Sequence, residues 1–294
     1  SLNEYGVIPM DLYTGLNYGL PTHNHGEVEA GLSGYVKGIT ENKNKRISTA
    51  WLSGLNGILD AYFGKVPTEF DYQGKKYTPQ SLRESLGLDA DNYISLTSFT
   101  HHPFYAPFAL EIPDNWRWAL SYNLPIDEFM QVCENAVTKG FTIAWASDVS
   151  EIGFTRNGIA VIPDDDAPEN VGSDQARWLG LSQAEKNSRL KVKLEQGPVK
   201  EKEITQEMRQ IDFDNFQTTD DSQETTDDHG MQIYGMAKDQ NGTKYYIVKN
   251  SWGEAGTYKG IWYASETFVK YKTTNIMIHK DALPKEIAKK LGIK

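Results

Sequence analysis

A single cysteine, Cys133, stands among the 294 residues. It excludes an internal disulfide framework and any zinc site built from several cysteines, and it leaves the redox compartment open. No apolar run approaches the ~18 residues that a membrane span requires. No basic stretch followed by an apolar one opens the chain, so the sequence as it stands carries no signal peptide. Basic residues are in deficit, with 30 Lys and Arg against 40 Asp and Glu, for a net charge of −10. No basic patch is set apart, so a nucleic-acid surface is not expected. What the chain does have is 39% hydrophobic and 12% aromatic residues. That is ample for a core, and the length suits one large domain or two modest ones.

Residues 1 to about 30 read as a loop-dominated approach. Leu2 to Gly6 looks like the tail of a helix ending on glycine, which leads us to expect a segment upstream of Ser1. Helical spacing runs from Val28 to Lys37 and from Thr49 to Phe63, where Trp51, Leu52, Leu55, Ile58, Leu59 and Phe63 form an apolar stripe. Phe70 to Tyr77 alternates around Gln73-Gly74 as a hairpin, and Thr78-Pro79 starts a helix through Leu86. Residues 91–120 are aromatic and broken by proline. A helix is expected from Pro125 to Gly140, a strand from Phe141 to Ala146, and helices near Ser182–Lys193 and Thr205–Phe213. Strands follow at Met231–Lys238, Thr243–Lys249, Ile261–Ala264 and Thr274–His279, then a helix over Lys285–Leu291. The Thr-Thr-Asp-Asp repeated at 218–221 and 225–228 reads as a local loop duplication. The expected fold class is α+β, with a helical portion over 1–120 and a β-rich, barrel-like domain over 121–294.

The strongest chemical signal lies between 227 and 260. His229 opens one strand, Asn250 closes the next, and Asp239-Gln240-Asn241-Gly242 joins them as a hairpin turn. Antiparallel pairing brings imidazole and carboxamide together. Thiol catalysis wants that pair: the imidazole takes and returns the thiol proton, and the amide oxygen holds the other ring N–H. Trp252 would cover the bond, and Gly253, Gly256 and Gly260 suit a close-packed loop beneath it.

His229-Gly230 followed by a strand, then Tyr-x-x-x-Lys-Asn-Ser-Trp-Gly ending at Gly253, resembles the papain-like cysteine peptidases, most closely their bleomycin hydrolase and aminopeptidase C branch. Tyr5-Gly6-Val7-Ile8-Pro9, the stretch from Ile143 to Val149, and Leu181 to Lys186 carry the same likeness in the same order. The resemblance implies a papain-like fold with the helical insert of that branch. It also implies a Cys-His-Asn triad with His229 and Asn250 as two members, peptide substrates and no cofactor. A hexameric ring and a cytoplasmic location are the branch's habit, although some relatives are exported.

The family's nucleophile lies in a Gly-x-Cys-Trp-like segment, which this chain lacks. Cys133 instead shares a helical apolar stripe with Phe129, Val132, Ala136 and Val137, and reads as a small core residue. By the family's order the cysteine, and the glutamine of the oxyanion hole, precede the Tyr-Gly-x-x-Pro stretch. They are therefore expected upstream or on a companion chain, and the 294 residues alone should not hydrolyse peptides. The C-terminal arm that restricts bleomycin hydrolases to amino-terminal trimming is not matched by residues 283–294, so endopeptidase action stays open.

No metal site is expected. His23-Asn24-His25 could place two imidazoles on one face of a strand but lacks a third ligand. Adjacent His101 and His102 should point apart. Asp164-Asp165-Asp166 lacks the spacing of a calcium loop and reads as a solvated acidic turn. Asp227 and Asp228 suit a cap or surface turn, and Asp148 could line a substrate cleft. Two other functions stay open: a catalytically silent homologue acting as a binding or scaffold protein, and an unrelated acidic, aromatic-rich module, for instance for carbohydrate.

Overall fold

The computed structural model describes residues 2–171, 180–218 and 229–293. Apart from Thr218, the Thr-Thr-Asp-Asp duplication, with Asp227 and Asp228, lies outside the described residues. The chain forms two compact units, Ser1–Ala90 and Asp91–Lys294.

In the first unit α1 (Leu2–Tyr5), α2 (His25–Thr40) and α3 (Ala50–Phe63) precede a hairpin of β1 (Phe70–Tyr72) and β2 (Lys75–Tyr77), then α4 (Pro79–Ser85). The hairpin turns on Gln73 and Gly74, both at positive φ, as a two-residue turn between twisted strands demands. Thr78 and Ser81 form a reciprocal capping box that starts α4. Gly6 permits a close backbone approach: a Cβ there would sit 2.2 Å from the carbonyl carbon of Pro79. The apolar stripe of α3 is not a buried face. No residue of α3 is buried, and Trp51 and Leu52 are exposed. Periodicity marks which face is apolar, but burial needs a partner element.

The second unit is built on a nine-stranded sheet. Its strands are β3 (Tyr93–Thr97), β4 (Pro107–Ala109), β5 (Leu120–Asn123), β6 (Ile143–Ser147), β7 (Ile159–Ala160), β8 (His229–Lys238), β9 (Lys244–Lys249), β10 (Ile261–Ser265) and β11 (Thr273–His279). Their order is β4-β5-β3-β11-β6-β8-β9-β10-β7. The sheet is open, with β4 and β7 at its edges, and does not close into a barrel. The compact units divide at 90/91. The reason is pairing: β3 hydrogen-bonds along β11, from Ile276 opposite Leu96 to His279 opposite Tyr93, which ties residues 93–97 to the C-terminal strand.

Among the described residues this unit holds the helices α5 (Ile126–Thr138), α6 (Pro168–Val171), α7 (Gln183–Gln196), α8 (Gln206–Thr218), α9 (Glu266–Lys272) and α10 (Lys285–Leu291). Helix α5 carries Ile126, Phe129, Met130, Val132, Cys133 and Ala136 on its buried face. They join Ile143, Trp145, Ile233, Val248 and Phe268 in one core. Each large side chain so buried contributes about 1.5–3 kcal/mol. Arg209 of α8 is buried as well, and its guanidinium donates to the carbonyls of Ser98, Lys270, Tyr271 and Thr273. A buried cation is tolerable because those four oxygens replace its water. Burial still pulls its pKa down, to about 10.

Candidate active site

His229 begins β8 where that strand pairs with β6, opposite Ser147. Asn250 follows β9 directly, and its backbone N–H donates to Gly260 O at 2.9 Å. The two side chains meet, His229 Nε2 lying 2.6 Å from Asn250 Oδ1. The N–H of Ser251 donates to the same oxygen at 2.7 Å. A backbone N–H can only donate, so the amide atom it meets is the carbonyl oxygen. An oxygen cannot donate, so the ring proton sits on Nε2 and Nδ1 keeps its lone pair. The geometry thus supplies an oriented base with one free nitrogen.

Trp252 lies against the ring of His229, with centroids 4.8 Å apart and planes 38° from parallel. It is braced edge-on by Trp262 at 5.6 Å and by Phe154 at 6.0 Å. One side of the indole stays open, at 50% exposure. Asn250 is buried. The loop that returns to β10 is close-packed at Gly260, where φ is +86° and a Cβ would lie 2.1 Å from Gly253 O. Only glycine satisfies both conditions.

Cys133 takes no part in this site. It is fully buried in α5 within the core, and burial pushes its thiol up to about 12. A thiol so held is protonated and inert at neutral pH.

Asp148 does not line a cleft. It is 4% exposed, its Oδ1 accepts from the N–H and hydroxyl of Ser150, and its Oδ2 lies 3.6 Å from Lys272 Nζ. Lys272 is buried too and also meets Glu151 at 2.6 Å and Asp212 at 2.9 Å. Burial alone would lower the lysine's pKa; Glu151 and Asp212 outweigh it and hold the ammonium above its ordinary value. Sequence periodicity carries no trace of this cluster, because its members come from three separate segments: the loop after β6, α8 and α9.

His23 and His25 stack at 5.4 Å, and the hydroxyl of Tyr18 pairs with His23 Nδ1 at 3.0 Å. In the acidic turn Asp165 pairs with Lys202 at 2.6 Å, so it is not simply solvated. The expectation for His101 and His102 is corrected: both rings reach one carboxylate. His101 Nε2 lies 3.2 Å from Glu111 Oε2 and His102 Nε2 lies 2.7 Å from Glu111 Oε1. Neighbouring side chains point apart only in extended backbone, and these two residues lie in a bend between β3 and β4. Burial alone would raise Glu111, but its bonds to His102 and His101 hold its carboxyl below the ordinary range.

Residues 196–293 match the Peptidase C1-like family. Aminopeptidase C of Streptococcus thermophilus is 22% identical over 253 residues, which is 80% of this chain and 48% of that protein. The crystal structure of PepW from Lactobacillus rhamnosis superposes with a TM-score of 0.62 at 18% identity, over 99% of this chain and 63% of the other. The chain therefore spans about half the length of the aminopeptidase C it matches and less than two thirds of PepW. The chain thus shares its fold with PepW, resembles aminopeptidase C in sequence, and carries the Peptidase C1-like pattern over its last third.

Proposed function

We propose that this chain carries the histidine and asparagine of a cysteine peptidase, with the thiol contributed by a segment outside residues 1–294. The observation that carries this reading is the 2.6 Å contact between His229 Nε2 and Asn250 Oδ1 under Trp252, which leaves Nδ1 as the base. Nothing in the core around Cys133 offers the exposure a nucleophile needs. The likeness to aminopeptidase C makes peptides or amino-terminal residues the substrate class.

In this mechanism His229 Nδ1 takes the proton of the incoming thiol. A cysteine paired with an imidazole can fall from ~8.5 to ~3–4 in pKa, giving a standing thiolate and imidazolium. The thiolate attacks the scissile carbonyl, and backbone N–H groups near it stabilise the oxyanion. The imidazolium returns its proton to the leaving amine. Water, deprotonated by the same ring, then releases the acyl group. Asn250 keeps the ring in the useful tautomer throughout, because its oxygen accepts from Nε2 in both charge states.

Iodoacetamide labelling of the native protein at mildly acidic pH, with the modified peptide mapped by mass spectrometry, tests this. Rapid labelling of a cysteine other than Cys133 is the expected result. If no cysteine labels quickly, the peptidase reading fails and a silent homologue acting by binding replaces it.

A further inference from the structure

His101, His102 and Glu111 form the only group of metal-ligating side chains among the described residues whose donor atoms all fall within 4.8 Å of one another. They sit at the rim of a small aromatic core made by Phe99, Phe108, Leu110, Ile112 and Phe213. This core is separate from the one beneath His229. The His101 ring stacks on Phe213 at 5.2 Å and meets Phe108 edge-on at 5.4 Å. The His102 ring stacks on Phe108 at 4.2 Å. Both imidazoles are therefore held by packing, with their Nε2 atoms turned to one carboxylate.

A support for the first ligand is in place as well. Gln210 of α8 is buried, with Oε1 3.4 Å and Nε2 3.2 Å from His101 Nδ1. The N–H of Thr100 donates to Gln210 Oε1, and Gln210 Nε2 donates to Asp214 at 2.8 Å. An outer partner of this kind holds the far nitrogen of a ligating histidine and fixes its tautomer. The backbone of the second ligand is also anchored, since Asn123 Nδ2 donates to His102 O at 2.9 Å.

We propose that His101 Nε2, His102 Nε2 and a Glu111 carboxylate oxygen bind one divalent transition-metal ion of the zinc class. Two imidazoles and a carboxylate are a donor set suited to zinc, with water in the fourth position. Bond lengths of about 2.0–2.1 Å in a tetrahedron place donor atoms about 3.3 Å apart. The donor atoms of the three residues all lie within 4.8 Å of one another, so binding draws them together around the ion. In the bound form each neutral ring offers the Nε2 lone pair to the ion and carries its one proton on Nδ1. For His101 that proton is donated to Gln210 Oε1. The bound ion would clamp the 99–112 segment, and through Gln210 and Phe213 would tie it to α8.

The test is titration of the metal-stripped protein with zinc chloride in competition with a chromophoric chelator, repeated with cobalt(II) followed by its visible absorption. One tight equivalent is expected, together with a thermal midpoint that rises with zinc. Glu111→Gln, nearly isosteric, and His101→Phe, which keeps the aromatic stacking, are each expected to weaken zinc by more than tenfold. Loss of the buried support in Gln210→Ala should cost about 10–100-fold. His229→Ala should still bind zinc at this site, which separates the site from the proposed catalytic centre. Two results would overturn the proposal: no tight equivalent in the unaltered protein, or a tight equivalent that survives both Glu111→Gln and His101→Phe. In either case the three residues are an ion-pair clasp and nothing more.

Discussion

His229 and Asn250 share one face of the sheet because of a single bulge in β8. Near the turn Lys238 pairs with Lys244 and Met236 with Tyr246; beyond the irregularity between Ile233 and Gly235, Ile233 pairs with Val248 and Gln232 with Lys249. Continued without the bulge, the first register would set Asn250 opposite Gln232, on the other face from His229. A one-residue shift exchanges the two faces of a strand. With it, Asn250 follows the buried positions Tyr246 and Val248, and His229 precedes the buried positions Met231 and Ile233. The carboxamide then reaches the imidazole diagonally.

Asn250→Ala removes the acceptor of two donors at once. The partly buried N–H of Ser251 loses its acceptor, which costs about 0.5–1.5 kcal/mol. His229 loses the bond that selects its tautomer, and peptide hydrolysis is expected to fall by about 10²–10⁴-fold. Steady-state kinetics checks the second effect and chemical denaturation the first. Unchanged kcat would remove Asn250 from the mechanism.

Gly260→Ala places a Cβ against Gly253 O at a backbone angle that other residues avoid. We expect a loss of about 3 kcal/mol, read as an earlier urea midpoint. Gly242→Ala, also at positive φ but with open space around its Cβ, should cost less. Equal losses would mean that backbone angle alone, not the contact with Gly253, makes Gly260 necessary.

Cys133 should resist alkylation in the folded protein at pH 8 and react only in denaturant, because burial holds its thiol near 12. Intact-mass measurement after iodoacetamide treatment decides this. Cys133→Ala is expected to lower stability by about 1 kcal/mol through the small void it leaves, with hydrolysis unchanged.

Glu201 gives the protein a pH dependence of stability. Its carboxyl is raised above the ordinary carboxylate value by burial, which the bonds from Ser265 and from the N–H of Ile162 only partly offset. The native state thus holds its proton more tightly than the unfolded chain. That contribution is complete below the unfolded carboxylate pKa and is lost as pH rises through the elevated folded value. Glu201→Gln keeps an acceptor for both donors without the charge. Its thermal midpoint should exceed that of the parent at pH 8 and match it more closely at pH 4.

Lys272→Met strands Asp148, Glu151 and Asp212 without their cation. Breaking a buried pair costs about 3–5 kcal/mol. The lysine's own pKa is raised, so its contribution is present below its unfolded value and is lost only as pH climbs through the folded one. The deficit of the variant, read as the urea midpoint, should therefore hold steady from about pH 6 to 9 and shrink only in stronger alkali. A deficit already lost at pH 8 would refute an electrostatic origin.

The hairpins, the helix starts and the α+β class were legible in the order of residues, because each rests on local chemistry. Thr78-Pro79 caps and opens a helix, Gln73-Gly74 turns a hairpin, and Phe129, Val132, Cys133 and Ala136 mark the inner face of α5 wherever they occur. The pairing of His229 with Asn250 could be anticipated from a motif, and only because two strands and a turn join them. The α3 stripe, the Lys272 cluster and the convergence of His101 and His102 on Glu111 could not. Each depends on partners that arrive from distant segments, or on a bend that alternation along a strand does not describe.

Sequence by itself determined which stretches become helix or strand and which side of each is apolar, since those follow from backbone propensity and the periods of 3.6 and 2. Tertiary structure alone decided the register that sets Asn250 beside His229, the burial that silences Cys133 and the pairing that makes Asp148 structural. Register, burial and charge pairing depend on distances between residues far apart in the chain, and only the packed sheet sets those distances.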